Sequence, residues 1–200
     1  GVQTCALPIW PITVYPEVVS GNPRNGTSVV RYLLNRPGLI GGDAEFPVSD
    51  LIFAYTQHLL PDGEDPEHVL FMPPIDSSIF HNSDNPHDGR RQGWLLYPGR
   101  HAAALEEHKD LAAQCTLITH SWPASPQEMA DLFRRSERVY CFESTSIALE
   151  AILCGCPAIV LPSPFFNGTP LGIEELGTHG LAFANTPEAI QEAIAGIPLA

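Results

Sequence analysis

Cations are what this sequence most lacks. Its 200 residues hold 10 Lys or Arg against 23 Asp or Glu, a formal net charge of −13, and Lys109 is the sole lysine. So acidic a chain is repelled by nucleic acid and by anionic lipid, which argues against non-specific binding to either. A small anionic ligand is not excluded, because one or two arginines suffice for a phosphate. Long apolar runs are missing as well: there is no stretch of about 20 apolar residues to span a bilayer. Cysteines are few. The five (Cys5, Cys115, Cys141, Cys154, Cys156) are odd in number and lack the paired spacing of a zinc site. The last four lie in or beside apolar segments, as reduced thiols of a cytoplasmic protein do. In that setting the Asn-Gly-Thr triplets at Asn25 and Asn167 have no meaning as glycosylation acceptors.

What is present is an alternation of apolar runs with prolines and glycines. The first nine residues, GVQTCALPI, fit no strand, helix cap or signal peptide. They resemble one reading frame of a sequencing adapter joined to a truncated gene. Natural sequence is then expected from near Trp10, with Cys5 an artefact and the start of the N-terminal domain missing. Ile12–Val19 reads as a buried strand, Thr27–Asn35 as a helix, and Asp50–Thr56 and His68–Pro74 as strands, a β-α-β series with short links. Asp76–Gln92 is polar and rich in turn formers, as in a linker. The alternation then restarts. Strands are expected at 93–99, 115–121, 138–143 and 157–162, with helices at 102–114, 125–137, 144–155 and 186–196. Ser125, Pro126 and Glu128 open the second of these helices as a capping box, Ser144 is expected to cap the third, and Gly155 ends it. Strands such as AIVLP are apolar on both faces, which implies a parallel sheet covered on both sides. Such sheets bind ligands at the carboxyl ends of their strands.

Those strand ends carry the candidate site. The strand at 93–99 ends in Gly99-Arg100, a tight turn and a cation suited to phosphate. The strand at 115–121 ends in His120, Ser121 and Trp122, hydrogen-bonding groups and a flat ring. Ser144, Thr145 and Ser146 open a helix whose first backbone N–H groups attract an anion. Glu150 is the single charge between Ser144 and Ile173. It shares a helix face with Ser146 and is a candidate to accept hydrogen bonds from the two hydroxyls of a ribose; a glutamate leaning into solvent is the plain alternative.

The segment FESTSIALEAILCGCPAIVLP, Phe142 to Pro162, resembles the donor-binding segment of GT-B glycosyltransferases near the family-4 group. EAILCGCPAIV matches that family's helix-borne Glu-Ala and the following cGxPvv. The resemblance implies that Glu150 binds the donor ribose, that Glu143 faces the sugar, and that Gly99 and Arg100 grip the diphosphate, with Lys109 a weaker counterpart of the family's lysine. The family separates its two glutamates by seven residues; here six intervene, and Phe142 stands where the first is expected. Gly172–Phe183 resembles the loop before the family's last helix. VYPEVVSGNPRNGTSVVRYLLNRPG resembles the N-domain of small bacterial polysaccharide-assembly transferases, which implies cleft positions for Glu17, Gly21 and Asn22.

The expected architecture is therefore α/β and GT-B-like, with two Rossmann-like parallel-sheet domains, the first incomplete: a partial acceptor-side domain and linker over 10–85, and a donor domain over 86–200. The implied activity is transfer of a sugar from a nucleotide-diphosphate donor to a glycan or lipid-linked acceptor in bacterial surface polysaccharide synthesis, without cofactor or metal. No Asp-x-Asp triplet is present, in keeping with that. Peripheral membrane association of the intact protein is compatible with this reading, and the fragment alone is expected to be weak or inactive. The alternatives are a nucleotide-sugar-binding module without catalysis and a nucleotide-sugar epimerase on the same scaffold.

Overall fold

Residues 11–83, 85–87, 89–100, 103–163 and 166–197 are described by a computed structural model. The adapter-like tail lies outside them. The protein is α/β, and it divides between Met72 and Pro73 into two compact units, each built on an all-parallel sheet.

The sheet of the first unit has three strands in chain order: β1 (Ile12–Pro16), β2 (Ser28–Leu33) and β3 (Leu51–Ala54). The expected helix at Thr27–Asn35 is instead β2, and the unit contains no α-helix among its described residues. Arg31 explains the difference. A helical reading turns this charge to solvent and leaves an apolar stripe on Val29, Val30 and Leu33. In the structure Arg31 is 1 % exposed, and Val29, Arg31 and Leu33 alternate into one face with the two-residue period of a strand. Burial of the guanidinium is tolerated because its donors are satisfied. Nε donates to Asp50 Oδ2 at 2.8 Å, Nη1 to Val19 O at 2.9 Å and Nη2 to Gly21 O at 2.5 Å. The rings of Tyr15 and Phe46 lie 5.2 Å and 4.9 Å from its central carbon. The strand expected at His68–Pro74 is also absent. Only Val69 bridges to Ala54, and the prolines that follow have no N–H for a ladder.

The second unit carries five strands, β4 (Trp94–Tyr97), β5 (Cys115–Leu117), β6 (Arg138–Cys141), β7 (Ala158–Val160) and β8 (Leu181–Ala182), in the order β5-β4-β6-β7-β8. Between them run α1 (Ala103–Glu107), α2 (Lys109–Ala112), α3 (Pro126–Arg135), α4 (Ser146–Leu153) and α5 (Ile173–Leu176), and α6 (Pro187–Gly196) closes the unit. Alternate side chains of each strand enter opposite cores. Leu95, Val139, Cys141, Ala158 and Val160 pack with α3 and α4. Leu96, Tyr140, Phe142, Ile159 and Ala182 pack with α1 and α6. Both faces are thus covered, as parallel sheets require. The helix expected at 102–114 is broken at His108, whose ring stacks on Phe142 with centroids 4.7 Å apart. The α3 cap forms as read: Ser125 Oγ accepts from Glu128 N at 3.3 Å, while the Glu128 carboxylate reaches back to Ala124 N at 3.0 Å.

The segment read as a linker belongs to the second unit. Phe80 lies in its core. Arg91 donates to Phe133 O and Cys154 O, both at 2.9 Å, and to Asn82 Oδ1 at 2.8 Å. It therefore caps the carboxyl ends of α3 and α4 together, where a cation is favoured. Gly155, with φ +76°, ends α4 and leaves room for the Arg91 and Asn82 side chains, which a Cβ there would strike.

Replacement of Arg31 by Ala leaves Asp50 buried without its cation and two carbonyls without donors. We expect a loss of about 3–5 kcal/mol in the protection of β2 amides measured by hydrogen exchange. Unchanged protection would contradict the bracing role of Arg31.

Candidate functional site

Strand order turns back at β4: the chain crosses to β5 on one side, then to β6 on the other. Such a reversal parts the loops at the carboxyl ends of the two central strands and opens a crevice between them. Tyr97 to Arg100 leave β4 there, and Phe142 to Thr145 leave β6.

Gly99 is required twice over. Its φ of +65° is left-handed, and a Cβ built on it would collide with the carboxyl group of Glu143. Glu143 lies over the turn and accepts from Arg100 N at 3.1 Å through Oε2. Tyr97, the last residue of β4, lies near enough to the same carboxylate to feel its charge. Burial raises the Tyr97 pKa above its ordinary value; the charge and hydrogen bond of Glu143 add to this, as does Cys141, and Arg100 opposes it. Tyr97 therefore remains a donor at neutral pH. His120 is exposed and stands edge-on to the Tyr97 ring, centroids 6.1 Å apart.

The shortened glutamate spacing has a packing reason. Phe142 is fully buried in the core shared with α1 and α6, so a glutamate at that position would be an unpaired charge in an apolar cluster. The next residue turns the other way, toward Tyr97 and Gly99, and that is Glu143.

The three residues after it have separate tasks. Thr145, not Ser144, caps α4, its Oγ1 accepting from Ile147 N at 3.3 Å. Ser144 Oγ instead accepts from Leu171 N at 2.9 Å and ties the loop after β7 to the site. Ser146 is exposed and stands one turn before Glu150 on the same helix face. Glu150 is half-buried, and burial raises its pKa while Ser146 opposes the rise. None of the ion pairs among the described residues includes it.

Neither a protein-family model nor a curated protein matches the chain.

Gly99, Arg100 and Glu143 come together, with His120 one ring away. Ser144, Thr145, Ser146 and Glu150 follow on the loop and helix leaving β6. Tyr97 is the residue that sequence reasoning passed over. It sits in the run WLLY, read only as strand interior, and its position directly before the Pro-Gly turn was the available signal. Lys109 is exposed at the start of α2. Ser121 and Trp122 form a tight turn with Thr119, whose N donates to Trp122 O at 2.9 Å. In the first unit, Glu17 is 2 % exposed and accepts from Leu34 N at 3.0 Å, a bond that braces the end of β2. Gly21 N donates to Asp43 at 2.6 Å, and Asn22 Oδ1 accepts from Tyr15 and Gly26 at 2.9 Å and 2.8 Å.

The thiols are unsuited to nucleophilic work. Burial pushes Cys115 and Cys154 up to about 11 and Cys156 to about 12, and raises Cys141 as well, so none is a thiolate at neutral pH. Among the described residues no cluster of three His, Cys, Asp or Glu is placed to hold a metal ion. What the ends of β4 and β6 bring together is a backbone donor, the Glu143 carboxylate and an exposed guanidinium, with Glu150 further along α4.

Two measurements test this geometry. Gly99→Ala is expected to cost about 1–2 kcal/mol in backbone strain alone, and more while Glu143 is present. In a Glu143→Ala background the excess should vanish, leaving a coupling of about 0.5–3 kcal/mol in urea unfolding; strict additivity would refute the contact. For Glu150, a carboxyl whose folded pKa is raised contributes stability that is present below its unfolded pKa and lost as pH rises through the folded one. Glu150→Gln should therefore melt higher than the parent at pH 7, with the difference disappearing toward pH 4.

Proposed function

We propose that the second unit binds a nucleotide-diphosphate-sugar and that the protein is a GT-B-type glycosyltransferase acting on a glycan or lipid-linked acceptor. The observation that carries this is the meeting of the Gly99-Arg100 turn with Glu143 at the strand-order reversal. Doubly wound sheets place nucleotides at that point, with the phosphates against a glycine turn and a helix start. In this reading the Arg100 guanidinium and the first N–H groups of α4 receive the diphosphate. As the glycosidic bond to the donor breaks, they stabilise the charge that develops on the leaving group. Glu150 is half-buried and takes part in none of the ion pairs among the described residues, so hydrogen bonds from ribose hydroxyls would offset its desolvation. His120, at the rim beside Tyr97, is placed to meet the sugar or its phosphate.

A binding module without chemistry is the second reading. What favours it is Glu143 itself, which is packed on Gly99 and engaged by Arg100 N.

Calorimetric titration with UDP, GDP and their sugars tests the donor site. Binding is expected to weaken at least tenfold in Arg100→Ala and in Glu150→Gln, since hydrogen bonds to charged groups are worth about 1.5–3 kcal/mol. Absence of binding by every nucleotide would sink the donor reading, and nucleotide binding without sugar transfer to any acceptor would leave the binding module.

A further inference from the structure

The triplet Asn-Gly-Thr occurs twice, at Asn25–Thr27 and at Asn167–Thr169. In both copies the asparagine is exposed and the glycine half-buried. Asparagine is thermolabile, and most so before glycine, whose backbone N–H has no side chain beside it to hinder its approach to the asparagine Cγ. With the same triplet and the same exposure, a difference in reactivity between the two copies has to come from the fold.

The fold treats them differently. In the first unit one side chain clamps the peptide of Gly26. Gly26 N donates to Asn22 Oδ1 at 2.8 Å, and Gly26 O accepts from Asn22 Nδ2 at 2.8 Å. Gly26 also packs so closely on Thr13 that a Cβ would strike the threonine side chain. Its nitrogen must give up a hydrogen bond and shift before it can attack. In the second unit the asparagine itself is engaged. Asn167 Oδ1 accepts from Thr169 N at 3.0 Å, an Asx-turn that folds the side chain back over the Gly168 peptide. Gly168 N donates no hydrogen bond among the described residues. Its surroundings are open as well: a Cβ there would meet only Pro162, at ordinary contact distance.

We propose that Asn167 is a site of spontaneous deamidation, and that Asn25, in the same triplet, is protected by Asn22. Gly168 N attacks Asn167 Cγ and loses its proton. Negative charge gathers on Oδ1, where the Thr169 N–H already points and stabilises it as an oxyanion-hole donor would. The Cγ–Nδ2 bond then breaks, ammonia leaves with the proton, and a cyclic succinimide remains. Water opens the ring at either carbonyl to give aspartate or isoaspartate, and nothing is oxidised or reduced. Both products add a negative charge to the loop after β7, and isoaspartate also adds a methylene to its main chain. Leu171, a little further along that loop, donates its N–H to Ser144 Oγ at 2.9 Å. The modification therefore falls on the segment that this bond ties to the start of α4. None of this depends on the identity of a ligand at the crevice.

Incubation of the whole protein in warm, mildly alkaline buffer, followed by peptide mapping with mass spectrometry, measures both asparagines in one sample. In the folded protein Asn167 is expected to convert about tenfold faster than Asn25, the factor set by the hydrogen bond that Gly26 has to surrender. In concentrated urea both arrangements are lost, and the two triplets should convert at similar rates. Asn22→Ala frees the Gly26 N–H and should raise the Asn25 rate toward that of Asn167 in the folded variant; if that variant does not fold, the comparison within the parent protein decides. Equal rates in the folded parent, or faster conversion at Asn25, overturns the proposal. The same preference for Asn167 in urea also overturns it, because sequence rather than fold would then set the rate, as does a folded Asn22→Ala in which Asn25 stays as slow as before.

Discussion

Burial of a parallel sheet on both faces is the constraint from which the second unit follows. Its strands are too short and too apolar to face water, so each sends alternate side chains into two cores, one under α3 and α4 and the other under α1 and α6. To cover both faces, the chain must switch sides, and it does so after β5. That switch parts the loops beyond β4 and β6 and leaves the crevice. The site is thus a by-product of how the sheet is covered, and the residues that line it are the first ones freed from core alternation at each strand end.

Scarcity of cations makes each buried or bound arginine count. Arg31 braces two loops of the first unit, at three points, from inside its sheet. Arg91 joins the ends of α3 and α4. Because Arg91 holds the carboxyl end of α4, the opposite end, with Thr145 and Ser146, is held at the mouth of the crevice. Arg100 differs in kind: its backbone is engaged and its guanidinium is exposed. In so acidic a chain, an exposed cation at these strand ends is a local exception to a surface that repels anions.

The two glutamates of the segment that follows β6 come out as different devices. Glu150 is a carboxylate partly removed from water, a state that a ligand with hydroxyl groups would improve. Glu143 is satisfied already. It packs on Gly99 and accepts from the backbone N–H of Arg100.

The sequence by itself determined much of the second unit. Apolar runs of strand length, the Ser125 cap, the Gly155 stop and the Gly99 turn are local features whose physics needs no distant partner, and they place β4, β6, β7, α3, α4 and α6 in order along the chain. The lone charge at Glu150 was legible for the same reason. Long-range packing decided the rest. Whether Arg31 faces solvent or core is settled by Asp50 and the carbonyls of Val19 and Gly21, and that choice turned an expected helix into a strand. Which serine or threonine caps α4 depended on Leu171, 27 residues away in sequence from Ser144. The contact of Glu143 with Gly99, and its bond from Arg100 N, required β4 and β6 to lie side by side. Strand order is a property of the closed sheet, and no residue spacing within either segment carries it.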